Sequence, residues 1–98
     1  MRQSDTLEFE WDSGNIDKSY RKHGITPNEA EEVFLDERAM TLDDVIHSAS
    51  EKRLNSIGKT LAGMILFVAF TLRGKKIRII SARLANNKER RLYEEKNI

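Results

Sequence analysis

Cysteine is missing from all 98 residues. Neither a disulfide framework nor a thiolate metal site can therefore be built, and the fold needs no oxidising compartment. Proline occurs once, at Pro27, and histidine twice, at His23 and His47, which is few for a metal centre. No stretch has the glycine spacing of a phosphate-cradling loop, a nucleophile elbow or a zinc signature. The longest apolar run is far short of a bilayer span, and the polar N-terminal residues lack a signal-peptide pattern. These absences lead to the expectation of a cytoplasmic protein that touches no membrane and uses no metal or other cofactor.

What is present is enough for one domain. An apolar fraction of 39% beside a charged fraction of 34% is too apolar for a disordered tail, and residues 1–98 are expected to fold around one core. The net charge of +1 conceals a division. Residues 1–51 hold 5 Lys/Arg against 13 Asp/Glu, and residues 52–98 hold 12 against 3. Such a division either presents a basic surface to nucleic acid or an acidic partner, or lets the two halves neutralise each other across the fold.

Along the chain, Leu7 to Trp11 alternates apolar and acidic residues and reads as a short strand. A helix capped by Asp12 or Ser13 is expected to run to His23, with Gly24 as its left-handed stop. Thr26, Pro27 and Glu29 form a capping-box start for a second helix, followed by Ala30, Val33 and Phe34 at helical spacing. Residues 36–38 read as a turn and 39–42 as a short strand. Residues 51–57 read as another strand ended by Gly58. Leu54 and Ile57 have opposite parity there, which predicts a bulge or an early stop. Met64 to Phe70 and Ile77 to Ile80 read as buried strands joined by a turn at Gly74. Asn86 caps a last helix anchored inward by Leu92 and Tyr93. The expected class is α+β, in the order β-α-α-β-β-β-β-α, as an antiparallel meander with its helices packed on one face.

The chemistry concentrates on the last hairpin. Its turn carries Arg73, Lys75 and Lys76, and its second strand carries Arg78 and Arg83. Arginine suits an anionic ligand because its planar fork stays charged and grips two phosphate oxygens at once. In an unbroken strand, however, Arg78 and Arg83 point to opposite faces. Arg53 joins Arg78 if their strands place them on one side. The competing account pairs these arginines with carboxylates from the acidic half. His23 fits a satisfied helix-end histidine, and His47 lies among Asp43, Asp44 and Glu51 in a polar segment. Trp11 and Phe67 are expected in the core.

Taken together, the pieces resemble the BrnT family, the toxin half of a bacterial type II toxin–antitoxin pair. They are Phe9-Glu10-Trp11-Asp12, Lys22-His23-Gly24-Ile25, Glu29-Ala30 with Val33-Phe34, and His47, Glu51, Arg53 and Ile57-Gly58. Further along come Phe70-Thr71 with Arg73, the run from Ile77 to Arg83, and Glu89-Arg90 with Glu94. Asn15, Ser19 and residues 36–39 depart from the family pattern. The resemblance implies a RelE-like ribonuclease fold and metal-independent mRNA cleavage that inhibits translation. It also implies a BrnA-type antitoxin carrying the DNA-binding domain, so that DNA is met only indirectly, and a toxin dimer bridged by antitoxin in a heterotetramer. On this reading Arg53, Arg78 and Arg83 hold the scissile phosphate, and Glu51 or His47 is the base. Arg73, Lys22, Lys75 and Lys76 position the RNA, and His23 is a reserve donor. A non-catalytic antitoxin-binding module acting in operon repression is the alternative; a metal-dependent hydrolase ranks behind both.

Overall fold

The computed structural model describes residues 7–11, 18, 20–46 and 51–96. Alternating Glu8, Phe9 and Glu10 form strand β1 (Glu8–Glu10). The helix expected after it falls mostly outside the described residues, as do Asn15, Ser19 and His47, but residues 20–23 are helical. Gly24 stops them at φ 73°, its N–H donating to the Tyr20 carbonyl oxygen at 2.8 Å, a conformation that favours glycine. Helix α1 (Pro27–Glu32) starts on the expected capping box. The Glu29 N–H donates to Thr26 Oγ1 at 3.2 Å and the Thr26 N–H to Glu29 Oε1 at 2.9 Å. The helix then tightens into a 3-10 turn at Val33–Leu35.

Strands β2 (Met40–Asp43), β3 (Leu54–Lys59), β4 (Ile65–Arg73) and β5 (Lys76–Leu84) follow, and helix α2 (Asn87–Lys96) closes the described chain. Asn86 caps α2 reciprocally with Glu89, each N–H reaching the other's side-chain oxygen at 2.9 Å. No helix among the described residues is long and apolar enough to cross a membrane.

The sheet order is β1-β5-β4-β3-β2. Strands β2 to β5 form an antiparallel meander, but β1 pairs with β5 in parallel. The sheet is therefore mixed, which corrects the antiparallel expectation. The helical segments between β1 and β2 carry the chain from one sheet edge to the other. The meander then returns, and its last strand comes to lie beside the first.

One face of the sheet holds the main core. Leu66, Val68, Phe70, Ile77, Ile79 and Ala82 pack against Ile25, Ala30 and Val33. Phe34 meets Phe70 edge-on at 4.9 Å between ring centroids. Gly58 lies on this face within β3 and does not end the strand. A Cβ there would sit 2.7 Å from Val33 Cγ1, so the 3-10 turn rests directly on the strand.

Lys59, the next residue, points to the second face, where its ammonium lies 5.8 Å from the Tyr93 ring of α2. Helices thus cover both faces, not one. That cover explains the imperfect alternation in β3. Leu54 packs against the first-face core, while Ile57, fully buried, takes the opposite parity. Strand β3 pairs in continuous register with both neighbours and carries no bulge.

The bulge lies in β5. Ala69 pairs with Ser81 and Phe70 with Ile79, leaving Ile80 as the extra residue. Arg78 stands opposite Thr71 and Arg83 opposite Phe67, and Thr71 and Phe67 share one parity. The interruption therefore turns both arginines to the second face, where an unbroken strand would have separated them.

Helix α2 docks through Tyr93. Its hydroxyl donates to Asp36 Oδ2 at 2.6 Å, and Asp36 also accepts the Lys59 N–H at 2.8 Å and the Arg38 N–H at 2.9 Å. Leu92, expected as a second anchor, is exposed. Burial alone would raise the Asp36 carboxyl, but the hydrogen bonds from Tyr93, Lys59 and Arg38 outweigh it and hold the group below its ordinary value. Burial and the Asp36 carboxylate push the Tyr93 hydroxyl up to about 12.

Candidate RNA-binding face and its carboxylates

Toward the Gly74 turn, the second face carries two rows of polar side chains across the strands. The first consists of Glu10 on β1, Arg78 on β5 and Thr71 on β4. Arg53 completes it. It precedes β3 by one residue, its carbonyl accepts the Asp44 N–H at 3.0 Å, and the β3–β4 register continued one step sets it beside Thr71. The second row is Glu8, Lys76 and Arg73, with Glu51 at the position the same register gives it. Neighbouring rows are two residues, about 7 Å, apart.

The carboxylates of these rows engage the cations. Arg73 grips Glu51 with two hydrogen bonds, Nε to Oε2 at 2.9 Å and Nη2 to Oε1 at 3.2 Å. This pair is nearly half exposed, so it orients Arg73 more than it stabilises the fold. The Arg73 hydrogen bond outweighs the opposing effect of burial and, with the charges of Arg73 and Arg78, holds the Glu51 carboxyl below its usual range. A carboxylate so engaged is a weaker proton acceptor than a free one.

Arg78 is looser. Its Nη1 stands 3.7 Å from Glu10 Oε1, with side chains one-fifth and one-third exposed respectively. That is an ion-pair distance, too long for a hydrogen bond. The Glu10 oxygen is itself buried and has no hydrogen-bond partner among the described residues. Thr71 Oγ1, between the two arginine positions, is in the same condition on a residue only 3% exposed. Two orphaned buried oxygens in one row are costly unless a ligand completes them.

Arg83 does not join this group. It lies four β4 residues from Arg78's level, about 13 Å along the strand. Its Nη1 and Nη2 donate to Glu89 Oε1 and Oε2, both at 2.9 Å, and its guanidinium stacks 4.3 Å from the Phe67 ring centroid. Of the three arginines expected on the phosphate, the structure brings Arg53 and Arg78 into one row and holds Arg83 apart, bound to the first turn of α2. Phe67, expected in the core, is the platform for that guanidinium. Lys22 and His23 are exposed on the segment leading to Ile25 of the first-face core, and Lys75 is exposed in the Gly74 turn. Sequence reasoning missed Glu10 and Thr71 as members of the row. The signal for Glu10 lay in its alternation with Phe9, which was read only for its apolar side.

Burial of Glu89 works to raise its pKa, but Arg83 and the Asn86 N–H lower it further than burial lifts it. Asp36 and Glu89 therefore release protons more readily folded than unfolded. Their contribution is present above the ordinary values of 3.8 and 4.5 and is lost as pH falls through the depressed folded values. Urea midpoints are expected to drop steadily below about pH 4.5, and Asp36→Asn with Glu89→Gln should flatten that limb.

The family model described as the ribonuclease toxin, BrnT, of type II toxin–antitoxin system matches residues 11–89. The chain belongs to the BrnT family. Among solved structures, the ribonuclease toxin BrnT of Brucella abortus is similar at 26% identity and a TM-score of 0.64. The match covers 84% of this chain and 100% of that one. No curated protein sequence matches. The mixed sheet and its flanking helices are thus a BrnT-like fold, and the arginine row lies within the part of the chain that the family model spans, apart from Glu10 immediately before it.

Proposed function

We propose that residues 1–98 form one toxin domain that cuts mRNA without a metal and so inhibits translation, restrained by a BrnA-type antitoxin. The observation that carries this reading is the row Arg78–Thr71–Arg53. Two guanidiniums flank a buried hydroxyl that lacks a partner among the described residues, on strands that fix their spacing. RNA supplies its own nucleophile, the 2′-hydroxyl, so the protein must hold the phosphate and stabilise the charge that develops on it. Arg53 and Arg78 serve the phosphate. Arg73, held by Glu51, and Lys76 extend the cationic surface along the strand, and Lys75, Lys22 and His23 are exposed cations for the flanking RNA. An antitoxin that offers acidic groups to this face neutralises it directly, and DNA is reached only through that partner, within a toxin dimer bridged by two antitoxins.

The test is cleavage of RNA, free or in a translating extract, with EDTA present. Undiminished cutting that leaves 2′,3′-cyclic phosphate ends is the expected result. Loss of cutting in EDTA would reject the metal-free mechanism. The carboxylate held by Arg73 and that held by Arg83 favour a second reading, in which this face is a non-catalytic antitoxin-binding module acting in operon repression. Operator binding with the antitoxin, together with intact RNA at every protein concentration, would select it.

A further inference from the structure

Glu10 is placed as a proton acceptor for which the described residues supply no hydrogen-bond donor. Its register partner is Arg78, across the parallel β1–β5 pairing, and its Oε1 is buried without a hydrogen bond among the described residues. A carboxylate whose only task was to neutralise Arg78 would close to hydrogen-bond distance, as Glu89 does on Arg83 at 2.9 Å and Glu51 on Arg73 at 2.9 Å. Here the gap is 3.7 Å. Glu51 is committed to two hydrogen bonds with Arg73 and Glu8 is exposed to solvent, so Glu10 is the carboxylate of these rows that holds a buried acceptor oxygen without a hydrogen bond among the described residues.

Resting on the ribonuclease reading, we propose that Glu10 is a catalytic residue of this site, the group that takes the proton from the attacking 2′-hydroxyl. A phosphate held at Arg78 and Arg53 brings its 5′-side ribose over β1 or over β3. Over β1, the 2′-hydroxyl donates to Glu10 Oε1 and satisfies the orphaned oxygen, while Thr71 Oγ1 donates to the phosphate from the sheet floor. The O2′–H proton passes to Glu10 as the O2′–P bond forms. The P–O5′ bond breaks, the 5′-oxygen takes a proton from water, and Glu10 returns its proton to solvent. The products are a 2′,3′-cyclic phosphate and a 5′-hydroxyl end, with atoms and charge balanced.

The experiment separates cutting from holding. Single-turnover cleavage is measured on an RNA oligonucleotide, or on mRNA in a translating extract if free RNA is not cut. Binding is measured on a 2′-O-methyl oligonucleotide of the same sequence, which offers no nucleophile. Glu10→Gln is expected to slow cleavage of bound RNA about 100- to 1000-fold while the affinity for the 2′-O-methyl probe changes less than about threefold. Glu10→Asp, which keeps the carboxylate but sets it back, is expected to cleave at a rate between the two with the same affinity. It also carries the test if the Gln variant does not fold. Cleavage within a few-fold of the parent in Glu10→Gln would overturn the assignment. So would a loss of cleavage matched by an equal loss of binding in either variant, since that is what a mere prop for Arg78 would give. If the unaltered protein cuts neither substrate, the ribonuclease reading falls and this assignment with it; if it cuts and the Gln variant cuts equally, only Glu10 is released.

Discussion

Arg78→Ala is expected to reduce RNA cleavage by about two to three orders of magnitude, the loss seen when one preorganised charge-stabilising group is removed from a site of this kind. The side chain is four-fifths covered, so its charge acts in a medium that screens it less than bulk water does. Its position is fixed from both sides, by parallel pairing to Glu10 and antiparallel pairing to Thr71, so a ligand meets it without reorganisation. Arg83→Ala gives the internal contrast. Because Arg83 is bound to Glu89 and stacked on Phe67, its loss should act on the docking of α2 and lower the melting temperature, leaving cleavage per folded molecule within a few-fold of the parent. Arg78→Lys should recover only part of the activity, since an ammonium keeps the charge but not the two-pronged grip. Equal cleavage by the Arg78 and Arg83 alanine variants would reject the two-arginine site.

Phe70→Ala is expected to cost about 4 kcal/mol of folding stability, within the range for deleting a buried aromatic side chain. Phe70 is 5% exposed, packs edge-on against Phe34, and stands opposite Ile79 at the bulge. The edge-on contact accounts for about 1 kcal/mol of the loss; the rest is transfer and cavity. A domain of this size holds on the order of 5–15 kcal/mol in all, so the melting temperature should fall by roughly 20 °C or more. Urea unfolding followed by circular dichroism reads the change directly. A loss below about 1 kcal/mol would mean that the first face repacks freely and that its core does not fix the strands beneath the cationic rows.

The parts legible in the sequence were those that local chemistry determines. Thr26 and Glu29, Asn86 and Glu89, and Gly24 act through backbone groups within a few residues, and each behaves as its residue type predicts. The hairpin around Gly74 was legible for the same reason. Ile80 was not. One inserted residue leaves composition and hydrophobicity unchanged and shows only in the pairing of Ser81 with Ala69 beside that of Ile79 with Phe70. The cover on both faces was hidden as well, because Ile57 looked like an error of alternation until α2 supplied the second layer. Of the candidate site, Arg53, Arg78 and Arg83 were legible as residue types able to grip phosphate; the engagement of Arg83 with Glu89 was not, because Glu89 belongs to the cap of the following helix. Glu10 and Thr71 escaped because a lone acid in an alternating strand and a threonine in an apolar one carry no signal until register aligns them.

The pairing of β1 with β5 also bears on when this protein becomes able to act. Glu10 is made early and Arg78 late, and a parallel partner cannot fold back as a hairpin does; it must wait for the strand beside which it will lie. A growing polypeptide still short of Lys76 has both carboxylates of β1 but neither of the cations they stand opposite. The row that joins Glu10 to Arg78 is thus assembled only once β5 has been made.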